Sequence, residues 1–431
     1  MWYMVRNIVI FIAIYMLLVS PPVFTSLCEH VIGASYDGKT LYVGGNGPGN
    51  YSKIQDAIAN AGDGDTIYVF HGTYFENINI TKPLILMGEQ QYTTIIDGCQ
   101  RDNVITVESN NVTVCGFTLK NGTDNTIWER WAIQIQKGIG PASHLKNFTL
   151  SQCVITENRD GILFHNVTDG KIQNCTIHDN SNVSIAIRYR SDNILIENTT
   201  IYHNGKTINN NSFYSGGITI DGSNYLCTNL VLTNCKIYEN IGIGLNLVGV
   251  HDMSMNHSFI NDSSWFGISI GQNVENITIH HSTISRNSQE GIRIIDGTMG
   301  KISLRSIRNI LIHNNTITNN GGILHAYGGI FICHCVDGVR IIDNNIISND
   351  RYGIYFDCSR KNQVWNNNFI DNTCNAYFSH YGPTWNQWEG NYWDTWIGFG
   401  PKTIHGHGMI FPLFNFDWHP AQKPYDIPEM T

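Results

Sequence analysis

Six polar or charged residues in neighbouring repeats of this chain have the types and spacing needed for chemistry. They are His165, Arg188, Arg190, Asp221, Asn246 and Arg293. Guanidinium groups bind carboxylates through paired hydrogen bonds, so the arginines suit an acidic ligand. An imidazole or a carboxylate beside them could act as a general base, and the positive charge would stabilise a developing anion. The six residues therefore predict a binding site, and His165, Arg188, Arg190 and Asp221 are the candidates for catalysis.

The elements that position these residues follow from a short pattern that recurs nine times between Gln152 and Asn372. Each copy reads polar, small, any, apolar, any, any, polar. The central apolar residues are Ile155, Ile177, Ile201, Ile237, Ile260, Ile284, Ile317, Ile346 and Phe369. Their spacings are 22, 24, 36, 23, 24, 33, 29 and 23 residues. A period of about 23 residues, lengthened by insertions, indicates a solenoid with one coil per repeat.

The local pattern predicts an all-β solenoid. Alternating β-branched residues precede each central residue, and a Gly-Ile strand follows it, as at Gly217-Ile218. Three short strands per coil, each paired with its equivalent one coil away, predict a single right-handed parallel β-helix over 66–380. Asn suits the turns because it tolerates positive φ, and stacked Asn amides can hydrogen-bond between coils. We interpret the Asn residues as a structural ladder.

Both ends of the solenoid carry candidate caps. An amphipathic segment with Ile54, Ala57, Ile58 and Ala61 on one side predicts a short helix, capped by Ser52, within an N-terminal cap at 36–65. Residues 381–431 lose the repeat and carry five Trp between 385 and 418. We interpret this tail as a C-terminal cap that buries aromatic side chains, and a sugar-stacking surface is the alternative.

The six candidate residues fall on one face of the Gly-Ile strands. With Ile assigned inward, four outward residues are expected in line, one coil apart: His165, Arg190, Asp221 and Asn246. In this register Arg188 lies beside Thr219. Insertions flank the same strands at 121–131, 205–216 and 320–328 before them and at 137–146 and 296–308 after them. Such loops predict a groove, and the alternative is a solvated face on which Arg190 pairs with Asp221.

Composition and the N-terminus indicate an exported protein. The 431-residue chain has a net charge of −9 and no basic run, which argues against a nucleic-acid partner. Arg6 precedes an apolar stretch at 8–19, so we interpret residues 1–35 as a signal peptide or signal anchor. We expect an extracellular or cell-surface monomer that contacts a membrane only through this segment. Fourteen Asn-x-Ser/Thr sequons suggest glycosylation, although Asn-rich turns also generate them by chance.

The cysteines divide into two groups. Cys153, Cys175 and Cys235 each lie two residues before a central Ile, so we predict buried thiols that act as small core residues. Cys333 and Cys335 are the candidates for a disulfide or a metal site.

One strand of the predicted solenoid carries residues of the types that bind copper. His251, Met253, Met255 and His257 alternate in a way that suits copper. However, the two Met residues fall at inward positions equivalent to Ile277 and Ile279, so we predict core packing and no metal site there. His257 and His281 are close enough in register to share a metal. The sequence requires no cofactor, and copper and calcium are the ions considered.

The segment at 45–88, GGNGPGNYSKIQDAIANAGDGDTIYVFHGTYFENINITKPLILMG, resembles the opening of pectin-lyase-like β-helix proteins. The repeats resemble NosD-like periplasmic copper-binding proteins and exported β-helix proteins related to carbohydrate-binding and sugar-hydrolase domains. GNYWDTW at 390–396 is similar to the end of many archaeal surface members. The resemblance spans about 40–400 and implies the fold, while one fold hosts many activities.

Catalytic signatures of the known β-helix enzyme families are absent from the repeats. Gly406-His407-Gly408 matches one polygalacturonase motif but lies in the tail. Three functions follow: an exported protein that binds carbohydrate, with an acidic polysaccharide as partner; a polysaccharide lyase, epimerase or hydrolase; or a copper-handling accessory protein. The first is favoured because motifs for the other two are missing.

Overall fold

The computed structural model describes residues 38–122, 131–138, 143–205, 216–296, 307–322, 326–333, 336–380, 384–408 and 411–428. Within them the chain forms the predicted right-handed parallel β-helix. The strands form three stacks along the axis, and neighbouring strands within a stack pair in parallel from one coil to the next. Lys402–His407 and Pro412–Asp417 also pair with each other, antiparallel, at the C-terminal end.

The first stack contains the longest strands. It consists of Thr40–Val43, Asp65–Val69, Leu84–Gly88, Val112–Cys115, Leu145–Ser151, Val167–Gln173, Asp192–Glu197, Cys227–Thr233, Val250–Asn256, Val274–His280, Ile307–His313, Arg340–Ile342, Gln363–Trp365, Gln387–Glu389 and Pro412–Asp417. The second stack contains short strands. It consists of Gly72–Tyr74, Thr94–Asp97, Thr118–Lys120, Val154–Thr156, Thr176–His178, Thr200–Tyr202, Lys236–Tyr238, Phe259–Asn261, Thr283–Ser285, Thr316–Thr318, Asn345–Ile347, Asn368–Ile370 and Tyr392–Trp393.

The third stack contains the Gly-Ile strands. It consists of Ile78–Ile80, Ile105–Val107, Trp131–Ile135, Asp160–His165, Ile185–Arg188, Gly216–Asp221, Ile243–Val248, Ile268–Ile270, Ile292–Ile295, Ile330–Cys333, Ile354–Asp357, Ala376–Ser379 and Lys402–His407. The predicted inward row is confirmed in the second stack, where Ile155, Ile177, Ile201 and Ile237 pair in direct register and are fully buried.

The polar residue three positions before each central apolar residue adopts the left-handed conformation that the turn requires. Across the nine copies φ runs from 46° at His257 to 56° at Asp343. Short polar side chains tolerate this region better than β-branched ones. This residue therefore sets the corner between the first and second stacks.

The predicted Asn ladder is confirmed three positions after the central residue. The amide of Asn158 donates to Asn180 Oδ1 at 3.1 Å, Asn180 donates to Asn204 at 2.9 Å, and Asn204 donates to Asn240 at 3.0 Å. These side chains are buried, so each amide satisfies its neighbour where water is excluded. The ladder is structural.

The predicted buried thiols are also confirmed. Cys153, Cys175 and Cys235 are at most 2% exposed, and each thiol lies 3.3 Å from the carbonyl oxygen two residues earlier. Later coils fill the same column with amides, and Asn315 donates to Asn344 Oδ1 at 3.0 Å. The repeat pattern alone did not predict this second ladder.

A seven-residue helix, Ile54–Asn60, covers the N-terminal end, with Ile54, Ala57 and Ile58 buried. The predicted Ser52 cap is wrong. Instead, the carboxylate of Glu76 accepts hydrogen bonds from the backbone N–H groups of Ile54 and Gln55 at 2.8 and 3.0 Å. The following coil places this side chain beside the first turn of the helix, where it satisfies two free N–H groups. No helix in the described part of the chain is long and apolar enough to span a bilayer.

The tryptophans of the C-terminal segment differ in burial. Trp388 and Trp393 are buried, and the Trp393 ring stacks on Phe369 at 4.2 Å with an interplanar angle of 4°. The predicted burial is therefore right for these two. It is wrong for Trp385 and Trp418, which are 60% and 62% exposed.

Candidate functional site

The outward face of the third stack carries two rows of side chains. The central row is Gln134, Leu163, Ala186, Thr219, Asn246, Ser269, Arg293, Phe331, Tyr355 and Tyr377. The exit row, two residues further along each strand, has two segments. They are His165, Arg188, Asp221 and Val248, and then Ile295, Cys333, Asp357, Ser379 and His407.

The register places Arg188, and not Arg190, in line with His165 and Asp221. Arg188 pairs directly with His165 on one side and Asp221 on the other. The predicted line through Arg190 is wrong by two residues, because this strand begins at Ile185 and Ser184 takes the place of the Gly that marks its neighbours. A shift by two keeps every side chain on the same face, so alternation alone could not reveal it.

Arg190 and Asn246 therefore occupy other places than predicted. Arg190 lies beyond the strand end with φ 59°, is exposed, and holds its guanidinium 4.4 Å from the ring centroid of Tyr225. Asn246 belongs to the central row, where it pairs with Thr219. In the backbone register of the sheet, Arg188 lies opposite Asp221 and not opposite Thr219.

The N-terminal part of this face is packed rather than open. Trp131, Leu163, Val183 and Ala186 form a buried cluster outside the main core. The Arg188 guanidinium lies 5.8 Å from the Trp131 ring centroid, within range of a cation–π interaction. Arg188 therefore lies beside the indole of this cluster, and the His165 ring stacks on Tyr189 with ring centroids 4.9 Å apart.

The middle of the face holds the predicted candidate Arg293, in the central row, and a buried carboxyl group, Glu290, that the sequence did not single out. Glu290 is 3% exposed, its Oε1 accepts the Tyr327 backbone N–H at 2.9 Å, and burial raises the pKa of its carboxyl group. Arg293 stacks over Phe266 at 4.5 Å. Glu290 and Phe266 each precede the Gly of a Gly-Ile strand, two residues before an inward Ile, so strand alternation alone would have assigned them to the inward face.

The C-terminal part of the face carries five aromatic rings, which we call the aromatic platform: Tyr327, Phe331, Tyr352, Tyr355 and Tyr377. Phe331 lies 5.4 Å from Tyr355, and Tyr355 lies 5.9 Å from Tyr377, measured between ring centroids. Tyr327 stacks on Phe331 at 4.3 Å, and Tyr352 lies 5.1 Å from Tyr355. Phe331 is buried, whereas the four tyrosines are partly exposed and present their rings at the surface.

A cation adjoins this platform. Arg351 is exposed, and its guanidinium carbon lies 4.9 Å from the Tyr327 centroid and 5.3 Å from the Tyr352 centroid. A guanidinium held over aromatic faces keeps its charge and retains donors for a carboxylate. The platform therefore combines apolar faces with a positive charge.

A chain of hydrogen bonds borders the platform in the exit row. The Tyr355 phenol lies 3.1 Å from Ser379 Oγ, and Ser379 donates to Asp357 Oδ1 at 2.5 Å. Burial raises the pKa of Tyr355 to about 12, so the phenol keeps its proton. His407 follows Ser379 in register. The sequence had assigned Gly406-His407-Gly408 to a tail outside the repeats, but Lys402–His407 is the last strand of the third stack.

Of the four candidate copper ligands, the two methionines point into the core, whereas His251 is half-buried and His257 is exposed. Met253 pairs with Ile277 and Met255 with Ile279, and the two Met side chains are 4% and 0% exposed, as predicted. Across the described residues, no group of three or more His, Cys, Asp or Glu side chains is arranged to hold a metal ion. Cys333 is buried, and Cys335 lies outside the described residues.

Comparison with known families agrees with the fold. The family described as "Right handed beta helix region" matches residues 95–207 and 204–330, which together cover more than half of the chain. The chain belongs to this right-handed β-helix family. The family described as "Periplasmic copper-binding protein (NosD)" matches residues 293–398. No curated protein matches the chain.

Solved structures of polysaccharide-acting enzymes share the fold. The A-module of mannuronan C-5 epimerase AlgE4 from Azotobacter vinelandii is 18% identical, with a TM-score of 0.56 over 75% of this chain and 91% of that chain. The catalytic domain of a GH87 α-1,3-glucanase is 13% identical, with a TM-score of 0.55 over 81% and 69%. A mannuronic-acid-specific family 6 polysaccharide lyase from human gut microbiota is 12% identical, with a TM-score of 0.53 over 79% and 86%.

Proposed function

We propose that this protein binds a polysaccharide along the outward face of the third stack. The observation that carries the proposal is the aromatic platform, in which four partly exposed tyrosines lie beside one another on consecutive coils. Pyranose rings present apolar C–H faces, which bury favourably against aromatic rings while the hydroxyls stay hydrated. Because the coils repeat every ~4.8 Å along the axis, an extended polymer lying along the axis contacts successive coils.

An acidic polysaccharide fits this face better than a neutral one. Arg188, Arg293 and Arg351 occur along it, and each lies beside an aromatic ring. A guanidinium binds a carboxylate through two parallel hydrogen bonds, which adds orientation to charge attraction. The three arginines thus give a uronate polymer a cationic contact at each end and in the middle of the face.

We further propose that the protein is exported and acts at the cell surface or outside the cell. Arg6 and the apolar stretch at 8–19 support this proposal, because they have the order of a signal sequence. A polymeric glycan substrate would be met outside the cell.

Catalysis on the same polymer, by a lyase, an epimerase or a hydrolase, is the second candidate function. The hydrogen-bonded chain from Tyr355 through Ser379 to Asp357 favours it. The phenol keeps its proton because burial raises its pKa to about 12, and Arg351 nearby could stabilise charge on a uronate carboxylate.

The test is a binding and product assay on the purified chain. Immobilised acidic and neutral polysaccharides would be screened for binding, and bound polymers would be incubated and analysed for unsaturated ends, epimerised residues and new reducing ends. We expect binding to at least one polyuronate and weaker binding to its carboxyl-reduced form. A folded protein that binds none of the acidic or neutral polymers contradicts the proposal.

A further inference from the structure

The two strands at the C-terminal end, Lys402–His407 and Pro412–Asp417, form an antiparallel pair with one face towards the core and one towards solvent. Ile404 is buried on the inner face. On the outer face the exposed residues His405 and Phe414 lie opposite each other, with ring centroids 5.5 Å apart. Because side chains alternate along a strand, every second side chain of Pro412–Asp417 points away from the core.

The outer face of this strand pair continues the outward face of the third stack. His407 is the last member of the exit row, so His405, two residues earlier, falls in the central row. Phe414 lies opposite His405 and extends that row by one strand. Only Asp417 pairs with the first stack, whereas residues 412–416 lie beside the last strand of the third stack. The central row therefore runs from the aromatic platform across His405 to Phe414.

Residues 412–416 form an edge strand. Among the described residues, Pro412–Asp417 pairs with Lys402–His407 on one side, and its other strand contact joins Asp417 to Trp388. No residue of the strand before Asp417 is charged, and its one proline stands at the first position. Proteins commonly block an edge with charged side chains, an internal proline or a covering loop, because free backbone groups can pair with another chain. This edge is therefore open to a further strand.

Exposed apolar side chains cluster on and beside the edge strand. Of the thirteen large hydrophobic side chains exposed in the described parts of the chain, eight lie between Trp385 and Tyr425. Six of these eight form what we call the C-terminal patch: Ile397, Phe399, Phe411, Phe414, Phe416 and Trp418. Their exposed fractions run from 38% to 89%, which at about 200 Å² per side chain leaves roughly 800 Å² of apolar surface. That exceeds the largest patch of a typical monomer and is about what one partner contributes to a stable interface.

We propose that two copies of this chain associate tail to tail, with Pro412–Asp417 of each copy pairing antiparallel across a two-fold axis. Antiparallel pairing of a strand with its own copy is self-complementary, as a two-fold interface requires. An axis at Asn415 brings Phe414 opposite the partner's Phe416 on the outer face, where aromatic cross-strand pairs are stabilising. The axis is perpendicular to the sheet, so the outward faces of the two third stacks become one continuous surface. This dimer replaces the monomer that the sequence predicts.

The charges of the C-terminal patch favour a second copy over a lipid surface. Between Ile397 and Trp418 the chain has one basic residue of the Lys/Arg type, Lys402, and one acidic residue, Asp417. Lys402 is half-buried and Asp417 is buried. Proteins that bind a bilayer surface through aromatic side chains usually carry several basic residues that attract anionic lipids. A patch with few charges suits contact with an identical patch, because like charges across an interface repel.

Sedimentation of the full chain over a range of concentrations, without any ligand, tests the association independently of glycan binding. The double variants Phe414→Lys, Phe416→Lys and Phe414→Glu, Phe416→Glu each place like charges opposite one another across the axis. The matched control is Phe75→Lys, Tyr92→Lys, because both of these rings are exposed in the first coils. We expect wild type and control to dimerise in the micromolar range, and each patch variant to bind its own copy about tenfold or more weakly.

A mixture of the lysine and glutamate patch variants should dimerise again, because opposite charges then face each other across the axis. In wild type, amide hydrogen exchange at 412–416 should slow as protein concentration rises, and this measurement decides the matter even if a variant folds poorly. Monomeric wild type, or exchange at 412–416 that is independent of concentration, contradicts the proposal. Equal weakening in the control also contradicts it. Monomeric wild type that binds phosphatidylcholine vesicles through Phe414 and Phe416 would assign the C-terminal patch to a lipid surface instead.

Discussion

The phenol oxygen of Tyr355 lies 3.1 Å from the hydroxyl of Ser379 on the next coil. This contact joins the two rows of the third-stack face, since Tyr355 belongs to the central row and Ser379 to the exit row. The tyrosine thus has two separable parts: its ring belongs to the aromatic platform, and its hydroxyl begins the chain that ends at Asp357. Substitutions that remove one part at a time distinguish binding from catalysis.

Tyr355→Ala should weaken polysaccharide binding by about tenfold, because it removes a ring from the centre of the platform. Tyr355→Phe keeps the ring and should leave affinity within about twofold. If the face also catalyses a reaction, Tyr355→Phe should lower turnover by about a hundredfold or more. Calorimetric titration and a product assay measure the two effects.

Tyr238→Ala is the matched control for Tyr355→Ala. Tyr238 stacks on Tyr202 at 5.2 Å in a comparable tyrosine row, but on the second stack. It should not change binding. Equal losses in Tyr355→Ala and Tyr238→Ala would mean that the platform has no special part in binding.

Arg351→Ala should weaken binding of an acidic polysaccharide about ten- to hundredfold, since a charge-assisted hydrogen bond contributes about 1.5–3 kcal/mol. Binding of a neutral polymer should change little, because the aromatic platform remains. The comparison is Arg308→Ala, which removes an exposed arginine that pairs with Glu275 at 2.7 Å. A loss of the same size in Arg308→Ala would indicate a general charge effect.

The corrected register gives a separate prediction for the N-terminal part of the face. Arg188→Ala should weaken acidic-glycan binding more than Arg190→Ala, because Arg188 lies in the exit row between His165 and Asp221 while Arg190 lies beyond the strand end. Surface plasmon resonance with a polyuronate would rank the two variants. The opposite ranking would place the ligand on the turn near Tyr225 instead of on the sheet face.

The sequence predicted those parts of the structure that depend on a single coil. Inward and outward positions alternate along each strand, so the burial of Ile177, Cys175 and Met253 follows from local spacing. The ladder through Asn180 follows from the same repeat.

Contacts between coils were harder to predict because the coils differ in length. Phe331, Tyr355 and Tyr377 come into line only when the insertion before Gly329 and the short turns after it are counted correctly. His280 and His281 were not predicted as a pair, since their facing nitrogens depend on the left-handed turn at His281, where φ is 47°. The repeat fixes which face a residue occupies, whereas its neighbours on that face depend on register.

Acid should destabilise the protein through four histidine rings that contact one another between the first and second stacks: His257, His280, His281 and His313. The pKa of His280 is lowered from 6.5 to about 4 by burial, then by His313, His281 and His257, and burial also lowers the pKa of His313. Between these values the unfolded state binds a proton that the folded state does not, so stability is lost as pH falls from about 6.5 towards 4.

His280→Asn should reduce this acid sensitivity in metal-free protein. Denaturant unfolding at neutral pH and near pH 4.5 would measure the change in the free energy of unfolding. Arg340 and Asp343 also act on the pKa of His313, so their contribution remains in both proteins and cancels in the comparison. An identical loss of stability in the variant would show that other groups cause the acid sensitivity.

The buried thiols should lower the stability of the protein at alkaline pH. Burial raises the pKa of Cys227 and Cys235 from 9.0 to about 12. Above pH 9.0 the unfolded state loses thiol protons that the folded state retains, so stability falls as pH rises from about 9 towards 12. Cys235→Ser should reduce this slope, and Ser258 already occupies the same column one coil later, where its hydroxyl accepts the Cys235 backbone N–H at 3.1 Å.

Thiol labelling and unfolding together check this last prediction. A thiol reagent should modify the partly exposed Cys99 in native protein and should reach Cys153, Cys175 and Cys235 only after denaturation. The free energy of unfolding at pH 8 and pH 10.5 would then be compared between wild type and Cys235→Ser, with Cys99→Ser as control. Tyr355 also has a raised pKa, but it is present in all three proteins and does not alter the difference. Equal slopes in wild type and Cys235→Ser, or rapid native labelling of Cys235, would mean that water reaches this column of the core.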